Sequence, residues 1–402
     1  MMLSVAEARA RILAPLRATA PELVSLAEAW GRVTAQPIHA RLTQPPADIS
    51  AMDGYAVRTA DAGAGACLRV IGSAPAGRPF AGAVAQGEAV RLFTGSVVPP
   101  GADTVVLQED VDRSGDTVVM AEAAQAGRHI RRTGQDFEAG DPVLPARRRL
   151  NARDIGLAAA ANHPWLAVHR RPRIAILATG DEISMPGEPI GSGGIVSSNA
   201  HALAAMVRAA GGTPVVMPIA RDERSAIAAV ADALGGIDLL VTTGGASVGD
   251  HDLVQSGLSE RGFELDFWRI AMRPGKPLLY GRLGSVPVLG LPGNPVSAII
   301  CAVLFMLPAI ETLSGLDAVA PPTERAALAE ALGANDHRAD HLRATLEVDA
   351  AGTLVVRPFA RQDSGLLGLL ARADTLILRM PHAPALPVGA PVDVVRLRTL
   401  GV

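Results

Sequence analysis

Between Arg173 and Leu316 short apolar runs alternate with helical stretches, and this alternation restricts the fold more than any other feature of the chain. The strand candidates are Ile174–Ala178, Thr213–Pro218, Asp238–Thr242, Leu278–Tyr280 and Val286–Leu291. Helical stretches lie between and after them, at Ala200–Ala210, Glu223–Leu234, Leu253–Arg261 and Pro295–Leu313. Continuous apolar strands separated by helices predict a doubly wound parallel sheet covered on both faces. Ligands bind such sheets outside the carboxyl ends of the strands.

The polar clusters of this block fall at those ends. Thr179-Gly180-Asp181-Glu182 follows the first strand, and its adjacent carboxylates suit Mg²⁺. Helix capping explains them equally well. Asp222 follows the second strand, where N-capping of the next helix is a strong competing reading. The third strand runs into Thr243-Gly244-Gly245-Ala246-Ser247-Val248-Gly249-Asp250-His251-Asp252. Its glycines let backbone N–H groups converge on an anion, Thr243 and Ser247 add hydroxyl donors, and Asp250 and Asp252 call for a divalent cation between them and a phosphate. Pro292-Gly293-Asn294-Pro295 closes the last strand, with Asn294 as N-cap and Pro295 as the first helical residue, a place where free N–H groups bind anions. Arg273-Pro274-Gly275-Lys276-Pro277 sets two cations around a stiffened turn, able to clamp an oxyanion.

The flanking textures differ. Ser4 and Glu7 predict a capping box on an amphipathic first helix, not a signal peptide. A second helix is expected at Ala152–Ala161. Residues 67–150 read as β-structure with tight turns, inserted into an elongated helical region. Ser50-Ala51-Met52-Asp53-Gly54-Tyr55-Ala56 reads as a turn with one carboxylate and an exposed Tyr. After residue 320 short strands at His341–Val348, Leu354–Pro358, Thr375–Met380 and Pro391–Leu397 predict a small β-barrel. The expected units are therefore 1–170 (with the β insertion at about 60–145), 171–318 and 319–402.

A net charge of −3 and 3% aromatic residues argue against a nucleic-acid partner. Cys67 and Cys301 are far apart in no metal-ligand spacing, which fits a reducing cytoplasm. The apolar run Pro295 to Ile310 is too short to span a bilayer and reads as a buried helix.

Ser50–Ala56, Thr94-Gly95, Gly134-Gln135-Asp136, Thr179–Glu182, Thr242–Gly245, Pro274–Pro277 and Gly290–Ser297 occur in that order. As an ordered set they resemble the molybdopterin molybdenumtransferases, the bacterial MoeA proteins and the E domain of gephyrin. The resemblance implies an elongated multidomain chain of class α/β plus β, with a MogA-like α/β domain, an inserted β domain and a C-terminal barrel. It implies a transferase that inserts molybdenum from molybdate into adenylyl-molybdopterin with Mg²⁺, releasing AMP. It also implies a cytoplasmic homodimer in transient contact with other cofactor-biosynthesis proteins and molybdoenzymes. Glu182, Asp222 and Asp252 would hold the metal and act in catalysis with Asp53, Thr94, Asp136 and Lys276, Asp53 and Thr94 reaching the partner's cleft. Substrate would meet Asn199, Thr243, Gly244, Gly245, Ser247, Gly249 and Arg273 on one side. Pro292, Gly293, Asn294, Pro295 and Ser297, with Arg338, Arg343 and Ser364 from the barrel, would complete the site. The family usually carries Lys where this chain has Arg273, which keeps the charge and changes the hydrogen-bond geometry.

Two other readings compete. An adenylyltransferase that makes adenylyl-molybdopterin would share residues 173–316 but lack the N-terminal region and the barrel. A scaffold on the same fold would not need the carboxylates of the rim.

Overall fold

The computed structural model describes residues 2–244, 253–318 and 320–402. The central sheet runs, edge to edge, Thr213–Val216, Arg173–Ala178, Leu239–Thr243, Val286–Leu291, Leu279–Leu283 and Phe263–Trp268. The first four strands are parallel. The last two add antiparallel to that edge. Leu283 pairs with Val286 across a two-residue turn whose Gly284 has φ +59°, and so short a loop can only make a hairpin. Phe263–Trp268 was not expected because its Glu264 and Asp266 interrupt the apolar run, as suits an edge strand.

Successive residues of each parallel strand serve opposite faces. Ile174, Ile176, Leu239, Val241 and Leu289 pack on one side with Leu203, Val207 and the long apolar helix. Ala175, Leu177, Leu240 and Val288 pack on the other with Ile227, Val254 and Leu258. The long helix spans Pro295–Leu313, so at 19 residues it is longer than the sequence run suggested and is long and apolar enough to cross a bilayer, but it is nearly nine-tenths buried and is the core helix expected. It is not uniform: Ala302–Met306 is a π-turn between Pro295–Cys301 and Leu307–Leu313. Pro308 accounts for this, since it has no N–H to give to the preceding turn and its ring crowds that turn's carbonyl.

The N-terminal helix Val5–Leu13 has the expected capping box and sends Ala8 and Ile12 into the same core. Helix Ala152–Ala160 starts with a second box, from Asn151 and Asp154. Around them Pro21–Ser25 pairs with Trp165–His169 as a two-stranded ribbon. The inserted sheet runs Thr104–Leu107, Gly54–Val57, Glu88–Leu92, Cys67–Ala74, Thr117–Met120 and Val111–Ser114. Tyr55, expected to be exposed, is 3% accessible. It lies in strand Gly54–Val57, between two neighbouring strands, with the Arg91 guanidinium 5.0 Å from its ring.

The C-terminal strands close on themselves in the order Ala339–Val348, Leu354–Pro358, Glu324–Leu328, Pro391–Arg396 and Thr375–Arg379, and back to Ala339–Val348. This is the expected barrel, with Glu324–Leu328 as a strand the sequence did not announce. Met272–Arg273 joins its outer edge, pairing Arg273 with Asp340 in parallel register. The barrel is thereby stitched to the mouth of the α/β sheet.

Candidate active site

The carboxyl ends of the central strands and the barrel edge enclose an open cavity of about 920 Å³. Most of the sequence-nominated residues meet there: Glu182, Asn199, Thr243, Gly244, Arg273, Lys276, the turn Pro292–Pro295, Ser297, Arg338 and Ser364.

On the sheet side, backbone and amide chemistry dominates. Gly244 has φ +95°, and a Cβ there would stand 2.4 Å from the Thr179 carbonyl oxygen, so the loop can pass only as glycine. The Asn199 Nδ2 donates to Thr243 Oγ1 at 2.8 Å and to the Gly293 carbonyl at 2.7 Å. This ties two strand ends to the start of one helix. Asn199 Oδ1, Thr179 Oγ1 and Thr242 Oγ1 are buried without a partner among the described residues. Unpaired buried acceptors and hydroxyls are costly, and a polar ligand offsets that cost. Asn294 takes the N-cap backbone position, but its side chain does not cap the helix. Its Nδ2 donates instead to Ser364 Oγ at 2.8 Å, while Val296 N–H donates to the Ser364 carbonyl at 3.2 Å. Ser364 is thus held across the cleft by the helix start.

On the barrel side, ion pairs dominate. The Arg273 Nε donates to Asp340 Oδ1 at 2.8 Å and a terminal nitrogen donates to the other oxygen, a two-pronged contact. A second terminal nitrogen lies 3.5 Å from Asp336. Arg338 donates to Asp336 at 2.8 Å. These contacts with Arg338, from side chain and backbone first, then with Arg273, hold the Asp336 carboxyl below its ordinary range. Gly275 has φ +109°, with a virtual Cβ 2.4 Å from Cys301 Sγ. The turn is therefore pressed onto the long helix, and Lys276 projects from it into the cavity lining. Lys276 is the only lysine in a chain that otherwise uses arginine throughout. It makes no ion pair among the described residues. The basic turn already nominates Lys276 from sequence, and its being the chain's only lysine sets it apart from Arg273.

Asp181, Glu182 and Asp222 form the acidic part of the rim. The Asp222 carboxyl is pushed up, first by partial burial and then by the charges of Asp181 and Glu182. Asp181 Oδ1 accepts from the Asp222 backbone N–H at 3.2 Å. Only Glu182 of the three lines the main cavity; Asp181 faces a neighbouring recess with Arg221.

Other nominated residues lie elsewhere. Asp53 Oδ1 accepts from Thr94 N–H at 2.7 Å and Thr94 Oγ1 at 2.8 Å, a self-contained pair on the inserted sheet. Those two bonds hold the Asp53 carboxyl below its usual range. Asp136 is exposed, in the turn whose backbone bonds to Gln44. Arg343 is 1% accessible and lies behind the Ser364 loop, donating to Gln362 Oε1 at 3.2 Å and the Asp363 carbonyl at 2.8 Å. Gly245, Ser247, Gly249 and Asp252 lie outside the described residues. Sequence reasoning missed Ile183, Ile195 and Val196, an apolar flank of the cavity, and the clamp residues Asp336 and Asp340.

Comparison with known proteins gives one answer along the chain. Residues 3–162 match the family described as MoeA N-terminal region (domain I and II), residues 175–312 a probable molybdopterin binding domain, and residues 325–397 the MoeA C-terminal region (domain IV). A molybdopterin molybdenumtransferase from Haemophilus influenzae is 32% identical over 389 residues, covering 94% of each chain. One from Nostoc sp. is 38% identical over 304 residues, covering 73% of this chain and 70% of that one. The crystal structure of a molybdopterin biosynthesis MoeA protein from Pyrococcus horikoshii is 26% identical, covers 98% of this chain and 99% of its own, and superposes with a TM-score of 0.86.

Proposed function

The chain belongs to the molybdopterin molybdenumtransferase family, and from that premise we propose that this transferase inserts molybdenum from molybdate into adenylyl-molybdopterin and releases AMP. The observation that carries the reading is the meeting, in one cavity, of a strand-end anion cradle with the chain's single lysine. Molybdate is a tetrahedral dianion, so an ammonium and fixed N–H donors suit it. The ends of Thr243, Gly244 and Pro292–Asn294 suit the terminal phosphate of the pterin, and Ile183, Ile195 and Val196 offer an apolar flank to its ring system.

Mg²⁺ fits the acidic rim. Asp181, Glu182 and Asp222 repel one another, and no ion pair to them exists among the described residues. No set of three ligating side chains converges on one point among those residues. Mg²⁺ binds through few carboxylates and completes its shell with phosphate oxygens and water, so it does not need a preformed cage of side chains. Bound there, Mg²⁺ would offset charge on the pyrophosphate link as it breaks. Glu182 and Asp222 would hold it, and Asp252, known from sequence alone, would join them. The protein's own part is positional: the glycine turns fix the pterin phosphate, and Lys276 balances the oxyanion beside it.

We assign three units, 1–170, 171–318 and 319–402, and a homodimer in the cytoplasm. The Asp53–Thr94 pair supports the dimer: it is preorganised yet contributes nothing to this chain's own cavity. It would serve the partner's cleft, and Asp136 would act there too.

The test is AMP release from adenylyl-molybdopterin with Mg²⁺, with and without molybdate, followed by assay of the pterin for metal. Molybdate-dependent release with metal retained is expected. Tight binding without release would overturn the reading in favour of a scaffold. Asp252→Ala should weaken Mg²⁺-dependent turnover and leave the fold intact.

A further inference from the structure

Three cations line the cavity, Arg273, Lys276 and Arg338, and they are not equivalent. Arg338 is paired with Asp336 through side chain and backbone. Arg273 is gripped by both oxygens of Asp340, which is 6% accessible, and is also within reach of Asp336. A guanidinium fork seated on a buried carboxylate has its planar face of donors occupied and its charge matched. Those pairings leave Lys276 as the one cavity cation with no ion pair among the described residues.

The Arg273–Asp340 contact also joins two units. Arg273 ends the short strand Met272–Arg273 and Asp340 sits in its parallel register on the barrel. Three residues on, the same turn presents Lys276, with Gly275 pressed against Cys301 between them. The turn is therefore fixed at one end by an ion pair to the barrel and in its middle by contact with the long helix.

We propose that Arg273 is a positioning residue rather than an oxyanion ligand, with Asp340 as its clamp, so that Lys276 alone meets the oxyanion from this turn. The inference rests on the oxyanion reading above and adds a division of labour within the basic turn. It predicts a sign. If Arg273 were a ligand restrained by Asp340, removing the clamp would free a cation and tighten oxyanion binding. With Arg273 as a tether, removing the clamp displaces Lys276 and weakens it.

The solitary lysine makes this directly readable. Reductive methylation with ¹³C-formaldehyde keeps the ammonium's charge and labels one side chain, at Lys276, beside the terminal amine. The label's NMR position is followed during titration with molybdate, in the full-length protein and in Asp340→Asn, Arg273→Lys and the Arg273→Lys/Asp340→Asn double variant. Expected are a molybdate-dependent shift in the unsubstituted protein and an affinity about tenfold weaker in Asp340→Asn. Arg273→Lys, which keeps the charge and loses the fork, should weaken binding to a similar degree, and the double variant should be no worse than either single one. The Lys276 resonance should move in both single variants before any molybdate is added, a signature that general destabilisation would not give in a protein with unchanged circular dichroism. Tighter binding in Asp340→Asn would overturn the inference and leave the oxyanion reading standing. Absence of any molybdate response in the unsubstituted protein would overturn both.

Discussion

The two walls of the cleft treat charge in opposite ways. On the sheet wall, Asp181, Glu182 and Asp222 stand together with no ion pair among the described residues, and partial burial, then the charges of Asp181 and Glu182, push the carboxyl of Asp222 up. On the barrel wall, Asp336 and Asp340 each hold an arginine, and Asp336 is pushed down. A wall with unmatched charge is arranged for something that arrives from outside. A wall with matched charge is arranged for itself, as architecture. Lys276 stands at the seam of the two, carried by the matched wall but itself unmatched.

The largest effect should come from removing that residue. Lys276→Met retains the side chain's length and loses its charge. Removing a preorganised charge from a developing anion costs roughly 10²–10³ in rate. Molybdate-dependent AMP release should fall by about that factor, while the urea midpoint stays near that of the parent. A rate within about threefold of the parent would place the cation role elsewhere and dissolve the contrast between the walls.

The turn that carries Lys276 is next. Gly275→Ala adds a Cβ at φ +109°, directed into Cys301. Strain of the backbone and overpacking together should cost about 4 kcal/mol, read as a drop in the chemical-denaturation midpoint. Cys301 cannot give way easily, because it is fully buried in the long helix. An unchanged midpoint would mean that the turn is not pressed on the helix as described.

The contrast between the walls also explains what the sequence could and could not announce. The sheet wall is legible because each of its clusters directly follows a strand of its own: Glu182, Asp222, Thr243 and Asn294 are each found by reading where an apolar run stops. The barrel wall is assembled by register between distant segments. Arg273 and Asp340 lie 67 residues apart and meet only because Met272–Arg273 pairs with the barrel edge. No local pattern encodes that. The same reason hides strand Glu324–Leu328, which is short, half polar and defined by its neighbours. Asn294 shows the limit even on the legible wall: the capping position was readable, but the side chain turned to Ser364, 70 residues away.

Acid should separate the walls by sign. His341, beside Asp340, is buried, and burial pushes its pKa down from 6.5 to about 4. Its neutral ring is favoured in the folded protein. As pH falls from 6.5 towards 4 the unfolded chain takes up a proton that the folded chain refuses, so stability is lost across that window. The loss from this one group is about 3 kcal/mol. His341→Leu should remove that component, so that its urea midpoint falls less than the parent's between pH 7 and pH 4.5. Equal falls would show that His341 is not the group responsible.

Asp222 should do the reverse, and more weakly, since it is largely exposed. Its folded pKa lies above the ordinary value of 3.8, so its favourable contribution is complete only below that pH and is lost as pH rises through the folded value. At neutral pH the ionised carboxylate therefore opposes folding, through its partial burial and then through the charges of Asp181 and Glu182. Asp222→Asn should raise the melting temperature slightly at pH 7 and leave it unchanged near pH 3, where parent and variant are both uncharged at this position. Millimolar Mg²⁺ should stabilise the parent and have less effect on the variant, because the crowded charges that add to this opposition are what attract the ion. A variant that melts lower than its parent at pH 7 would mean that Asp222 is a capping residue whose bonds outweigh the repulsion, and the sheet wall would then hold one carboxylate fewer for an incoming cation.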